Sequence, residues 1–368
     1  MQWEEEMCIV SGSYQSADGR PHRTTVELWC RTRSGHSVTL LVNGLRPYVV
    51  IALPGKPRPA SDADSALDYL RSKDWAVDVT PLGDKWTPDG DKPHWKVEVP
   101  QPWMITRGPN IRKILKESWE VSSADILFER RLLLDYGLGP HISACGEVLW
   151  AGKRAPIEAR DDDTGDRATA AGRIAEAGGP GLYPTDMVVS CTLEGLAKVE
   201  PFRTPFVSFS FDLETSIQSN RILCAAAVID RGGERSEHTF RGEEGDIMEG
   251  LTSLVRSEDP DIITGYNIDN FDLPRMKERA DVLTSRSKME AATLFGWGRV
   301  PMLQSQNKRL SPSRQQNRVW RIPGRIPLDA WWQARQTLRP QRESLSYVSK
   351  LLWPEDEDKH KLDIDASQ

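Results

Sequence analysis

The run Phe206-Val207-Ser208-Phe209-Ser210-Phe211-Asp212-Leu213-Glu214 constrains this chain more than any other. Apolar and small polar residues alternate along it with a period of two, which suits a strand with one buried face. The alternation runs directly into two acids. Residues two apart on a strand share a face, so Asp212 and Glu214 are expected to project together at the strand's end. Like charges so placed raise each other's pKa unless a cation neutralises them, and a divalent metal is the simplest resolution. For an Asp-x-Glu pair alone, a solvated strand end is the plain alternative.

The residues that follow predict an α/β unit around this strand. A second strand is expected at 221–229, Gly232-Gly233 turns the chain, and 237–240 returns as a third. Ile247, Leu251, Leu254 and Val255 recur at the spacing of an amphipathic helix. Asp261-Ile262-Ile263-Thr264-Gly265 reads as a buried strand, and a further helix is expected from Pro274. Between them lies Tyr266-Asn267-Ile268-Asp269-Asn270-Phe271-Asp272. Here Asn267 can hold the turn and Phe271 can anchor it. Asp272 sits near a helix start, where the dipole stabilises negative charge, and an ordinary helix cap is its competing role.

The first half mixes sheet and helix. Strand-like segments at 24–30, 38–42 and 47–53, with Ala17-Asp18-Gly19-Arg20-Pro21 as a hairpin loop, predict a small antiparallel sheet. Helical spacing is expected at 62–71 and again from Ile111 to Leu115. From 153 to 181 the composition turns acidic and then Ala/Gly-rich, as in a surface loop or linker. The 368 residues therefore divide into a β-rich α+β domain at 1–200 and an α/β domain at 201–368.

A net charge of −6 supplies no global positive field for a nucleic-acid partner, so any such partner must be sought locally. Between Arg286 and Arg325, nine Lys and Arg face one Glu, with Trp297 and Trp320 interleaved. That mixture suits a single-stranded backbone with stacked bases, and a solvated loop with core tryptophans is the alternative. The longest apolar run, 222–229, falls far short of the roughly 20 residues that span a bilayer. The N-terminus is acidic where a secretory signal is basic and apolar, so a cytoplasmic protein without membrane partners is expected. Five scattered cysteines without a Cys-x-x-Cys pair argue against a disulfide framework or a zinc site.

Taken together, Phe-Asp-x-Glu-Thr at 211–215 and Tyr-Asn-x-x-x-Phe-Asp-x-Pro at 266–274 resemble the first two exonuclease motifs of family B DNA polymerases, the archaeal replicative enzymes in particular. The lead-in Ser257-Glu258-Asp259-Pro260-Asp261 is similar as well, as are Gly44-Leu45-Arg46-Pro47-Tyr48 and the segment from Ala124 to Leu138. The resemblance implies the N-terminal part of such a polymerase: its N-terminal domain, then an RNase H-like 3′→5′ exonuclease domain that proofreads DNA with two Mg²⁺ or Mn²⁺ ions. It further implies that Asp212 bridges the metals, that Glu214 assists the one activating water, and that Asp272 holds the hydration shell of the second. By the same resemblance, Asn267, Phe271, Arg299, Arg314, Arg318 and Arg321 lie where a single-stranded 3′ end or a primer-template would run.

The family's third motif, Tyr-x-x-x-Asp, is not met at Tyr347, because the residue four further on is Leu351. The expectation is a truncated piece, weakly active or inactive alone, that works with a C-terminal polymerase part and a sliding clamp. A non-catalytic DNA-binding subunit and a stand-alone exonuclease are the alternatives. Archaeal relatives also sense template uracil, and Pro47, Tyr48, Ile126 and Phe128 fall where that pocket would be. Trp103 could fill it, and a structural role for all five is the competing reading.

Overall fold

The structure, a computed structural model, describes residues 2–16, 24–55, 64–151, 183–286, 291–300, 310–315 and 319–357. The expected 17–21 hairpin loop, the 153–181 loop and Arg318 lie outside the described residues. The chain forms two compact units. One comprises Met1–Leu28, Thr39–Leu149 and Val188–Phe202, and the other Trp29–Val38, Trp150–Met187 and Arg203–Gln368. The second unit thus begins at 203 but also takes in the short segment Trp29–Val38.

The first unit is β-rich. Its strands are β1 (Gln2–Ser16), β2 (Thr24–Thr32), β3 (Ser37–Asn43), β4 (Tyr48–Ala52), β5 (Asp78–Lys85), β6 (Lys92–Glu98), β7 (Glu120–Ser122), β8 (His141–Ala151), β9 (Met187–Thr192) and β10 (Leu196–Lys198). Helices α1 (Asp64–Arg71), α2 (Ile111–Lys116) and α3 (Phe128–Asp135) interrupt them. One sheet runs β1-β2-β3-β9-β8-β10 and closes on itself through antiparallel β1–β8 pairing. A second runs β5-β6-β4-β7 over a core that includes Val49, Ile51, Val97 and Ile111. Tyr48 donates its hydroxyl to Asp135 at 2.9 Å beneath the Arg131 guanidinium, 3.9 Å from the ring centroid, and Phe128 packs edge-on against Tyr14. Trp103 is 42% exposed, and its ring lies over Gly108.

The second unit is built on the predicted strand. β11 (Val207–Thr215) alternates buried Val207, Phe209, Phe211 and Leu213 with less buried Ser208 and Ser210 and exposed Asp212 and Glu214. β12 (Ile222–Arg231) and β13 (Glu234–Arg241) meander antiparallel from one side of it. The helix α4 (Glu244–Glu258) packs on β12 and β13, and β14 (Ile262–Gly265) returns parallel to β11 on the other side. Then follow α5 (Asp272–Arg286), α6 (Ala291–Phe295), the two-residue strands β15 (Ser313–Arg314) and β16 (Trp320–Arg321), and β17 (Ile326–Asp329). α7 (Ala330–Thr337) and α8 (Leu345–Leu352) complete the described order.

The resulting sheet, β13-β12-β11-β14-β17, places β11 at its centre, antiparallel to β12 on one side and parallel to β14 on the other. Its core is aromatic. Trp297 is fully buried and meets Phe209, Phe211 and Phe295 edge-on at centroid distances of 5.6, 5.1 and 4.9 Å. Trp320 is buried too, and its Nε1 donates to the Asp269 carbonyl at 2.9 Å. Neither tryptophan is a stacking platform for bases; core packing is the role both perform. Among the described residues, no helix is long and apolar enough to cross a membrane.

Candidate active site

β11 delivers its acids as the period-two pattern predicts. Asp212 and Glu214 share the exposed face, while Leu213 between them is buried and donates its backbone N–H to Asp272 Oδ1 at 3.1 Å. Asp272 arrives from the turn between β14 and α5, and it is the first helical residue rather than the residue before the helix. Gly265 makes the approach possible. A Cβ there would lie 2.6 Å from the Phe211 carbonyl oxygen and 2.5 Å from Ile268 Cγ2, so any side chain would force the turn away from β11. Asn267 then takes a left-handed backbone with φ 64°, and its carbonyl accepts from Asn270 and Phe271 N–H.

A residue with no role assigned from sequence holds this turn. Asp329, at the end of β17, is paired with Gly265 across the parallel β14–β17 register. Its carboxylate accepts from the N–H groups of Asn267 at 2.7 Å, Asp269 at 3.0 Å and Trp331 at 2.9 Å. It therefore fixes the turn and caps α7 at once. The local signal available was an Asp directly before a helical run; its other two partners lie some sixty residues away.

Asp212, Glu214, Asp272, Asn267, Phe271 and Arg275 line one open cavity of about 780 Å³, together with Tyr266, Trp331 and Glu343. Asp272 is 1% exposed. Burial first, and the Asp212 charge second, push its carboxyl up to about 7, against the Leu213 hydrogen bond that favours the ionised form. Burial and the Asp329 charge also raise Asp269 above the ordinary carboxylate range. Among the described residues, no three His, Cys, Asp or Glu gather tightly enough to form a metal cluster. The donor set nonetheless suits a hard divalent cation. It offers oxygen ligands alone, and a cation would relieve the part of the Asp272 shift that the Asp212 charge adds to burial.

The nucleic-acid residues expected from sequence separate into groups. Asn267 and Phe271 stand in the cavity wall, and Phe271, expected to anchor the turn in the core, is instead exposed. Arg314 is exposed and reaches Asn270 Oδ1 at 3.2 Å, and Arg321 is exposed on β16. Arg299 requires correction: it is fully buried and cannot face DNA. Its Nε donates to Asp259 at 2.6 Å and its Nη2 to Asp261 at 2.9 Å. Arg31 and Arg325, also buried, bind the same two acids. Burial opposes the Arg299 charge, but Asp259 and Asp261 overcome it and hold the guanidinium protonated. Asp261 also accepts from Val207 N–H at 3.0 Å, so this network anchors the start of β11, at the opposite end from Asp212.

A central strand ending in paired carboxylates thus stands beside a buried acid that opens the helix after β14. Residues 187–348 match the family model for the DNA polymerase family B exonuclease domain. The chain is 24% identical over 304 residues to the DNA polymerase delta catalytic subunit of Oryza sativa subsp. japonica, covering 68% of this chain and 25% of the relative. It is 31% identical over 161 residues to the Bos taurus subunit, covering 42% and 13%. A DNA polymerase of Archaeoglobus fulgidus is 27% identical over 281 residues, covering 74% and 30%. The chain thus spans about a quarter of the length of the rice relative. The family B DNA polymerase structure from Pyrobaculum calidifontis superposes with a TM-score of 0.63 at 19% identity, over 94% of this chain and 39% of that one, and shares its fold.

Proposed function

We propose that this chain takes the 3′ end of single-stranded DNA into the carboxylate cavity and hydrolyses the terminal phosphodiester, as the proofreading exonuclease portion of a replicative polymerase. The observation that carries this reading is the coupled pair Asp212 and Asp272. The end of β11 and the start of α5 bring the two within charge range, and a bound cation would relieve the part of the Asp272 penalty that the Asp212 charge imposes. Asp212, Glu214 and Asp272 would hold Mg²⁺ or Mn²⁺, two such ions supplying water activation and charge neutralisation at the leaving oxygen. Asp329 keeps Asp272 in place through the turn, and Phe271 offers an aromatic face at the cavity. Arg314 and Arg321 supply exposed positive charge for the phosphates, and nucleotide addition belongs to a C-terminal polymerase part working with a sliding clamp.

The test is release of a labelled 3′ nucleotide by the full chain in Mg²⁺ and in EDTA, with Asp212→Asn beside it. Metal-dependent release, reduced about 10²–10³-fold by the substitution, is the expected result. The lack of a three-ligand cluster among the described residues favours one competitor, a non-catalytic DNA-binding subunit. DNA binding with no metal-dependent release at any rate would establish that reading instead.

A further inference from the structure

We propose that Arg275 and Trp331 form the grip that holds the substrate in this cavity and restricts it to single-stranded nucleic acid, with the guanidinium on a backbone phosphate and the indole stacked on a base. The inference rests on the reading of the cavity as a nucleic-acid site. Its starting point is a charge problem. Asp212, Glu214, Asp272 and Glu343 all line the cavity, and Arg275 is the one basic residue among the described lining residues. A phosphodiester entering there meets carboxylates on several sides, so affinity depends on the cation that shares the space.

Arg275 is built for that role. It follows Asp272 by three positions on α5, which places both on one helix face. Its Nη1 is tied to Glu278 at 2.8 Å, and the side chain is only 16% exposed. Its Nε is enclosed and has no hydrogen-bond partner among the described residues. The guanidinium carbon lies 5.8 Å from the Phe271 ring centroid. Glu278 and Phe271 therefore brace the guanidinium, and a planar cation held in that way suits a phosphate.

Trp331 is fixed with equal care. Its backbone N–H donates to Asp329, the carboxylate that also sets the Asp272 turn, so the start of α7 that carries the indole and the turn that carries Asp272 share one support. Trp332 braces the ring edge-on at 4.6 Å, and the Arg335 guanidinium lies over it at 5.2 Å. The ring is half-buried yet lines the cavity. A rigid indole at a phosphate-binding cleft stacks any base that is splayed out of a helix, and a paired base cannot reach it.

The experiment uses the full chain in Ca²⁺ and an octathymidylate ending in 3′ 2-aminopurine, whose fluorescence falls on stacking. The wild type is expected to quench the probe, and Trp331→Ala to leave it bright at saturation while binding roughly tenfold more weakly; Trp331→Phe keeps most of the quench. Arg275→Gln should quench fully at saturation but lower the salt slope by about 0.7, and Arg275→Lys should restore that slope. Wild-type quenching by Trp331→Ala, or an unchanged slope in Arg275→Gln, overturns the proposal. Trp331-dependent quenching without cleavage in Mg²⁺ supports it and removes the nuclease reading. Cleavage with wild-type KM in both variants does the reverse.

Discussion

Replacing Asp272 with Asn should make the metal-free protein more stable, although it removes a residue central to the site. The wild-type carboxyl is pushed up to about 7 by burial and by Asp212, whereas in the unfolded chain it ionises near the ordinary 3.8. Between these values the folded state keeps a proton that the unfolded state releases. Stability therefore falls as pH rises through about 4 to 7 and levels off above, the reverse of a salt-bridged carboxylate. At 1.36 kcal/mol per pKa unit, the full penalty approaches about 4 kcal/mol above pH 7. Asn is neutral throughout and retains the acceptor for Leu213 N–H, so it avoids the penalty without orphaning that donor.

The assay is urea unfolding of both proteins in EDTA from pH 4.5 to 8. The difference between them cancels the titrations of groups that do not interact with Asp272, and it should be near zero at the acid end and grow to a few kcal/mol in favour of Asp272→Asn. Mg²⁺ at pH 8 should then stabilise the wild type by mass action and the variant far less. A difference that does not change with pH, or equal stabilisation of both proteins by Mg²⁺, would refute the coupling of Asp272 to Asp212 and to a cation.

Asp329→Ala strips an acceptor from three N–H groups and should cost on the order of 3 kcal/mol in urea unfolding, with weaker Mg²⁺ stabilisation of what remains folded. Arg299→Gln leaves Asp259 and Asp261 short of a buried partner and should cost about 3–5 kcal/mol, while the salt slope of DNA binding stays as in the wild type. Arg321→Gln should do the opposite, changing stability by less than about 0.5 kcal/mol and lowering the slope. Gly265→Ala drives a methyl into the Phe211 carbonyl and Ile268, and a loss of about 1–3 kcal/mol with impaired metal binding is expected from unfolding and Mg²⁺ titration.

What was legible in the sequence was local. The alternation at 207–215 is a property of consecutive residues, so it reported both the buried face of β11 and the shared exposure of Asp212 and Glu214. The Asn-to-Asp turn before α5 was likewise contained in one short stretch. Asp329 escaped because two of its three partners lie across the β14–β17 register, and nothing in its own neighbours records that pairing.

Arg299 was misread for a related reason. A count of charges along a segment treats each one as solvated, yet a charge in a dry interior survives only beside its opposite. The acids that neutralise Arg299 and Arg325 stand some forty to sixty-six residues earlier, in the Asp259-Pro260-Asp261 lead-in, and Arg31 comes from near the start of the chain. Once those two arginines are assigned to the core, the exposed positive charge described between 286 and 325 reduces to Arg286, Arg314 and Arg321. The described part of the basic stretch thus plays two roles: a buried clamp at the start of β11, and exposed arginines of which Arg314 reaches Asn270 in the turn before α5. Arg275, the cation among the described cavity-lining residues, adds to these exposed charges a contact that a count along 286–325 does not include.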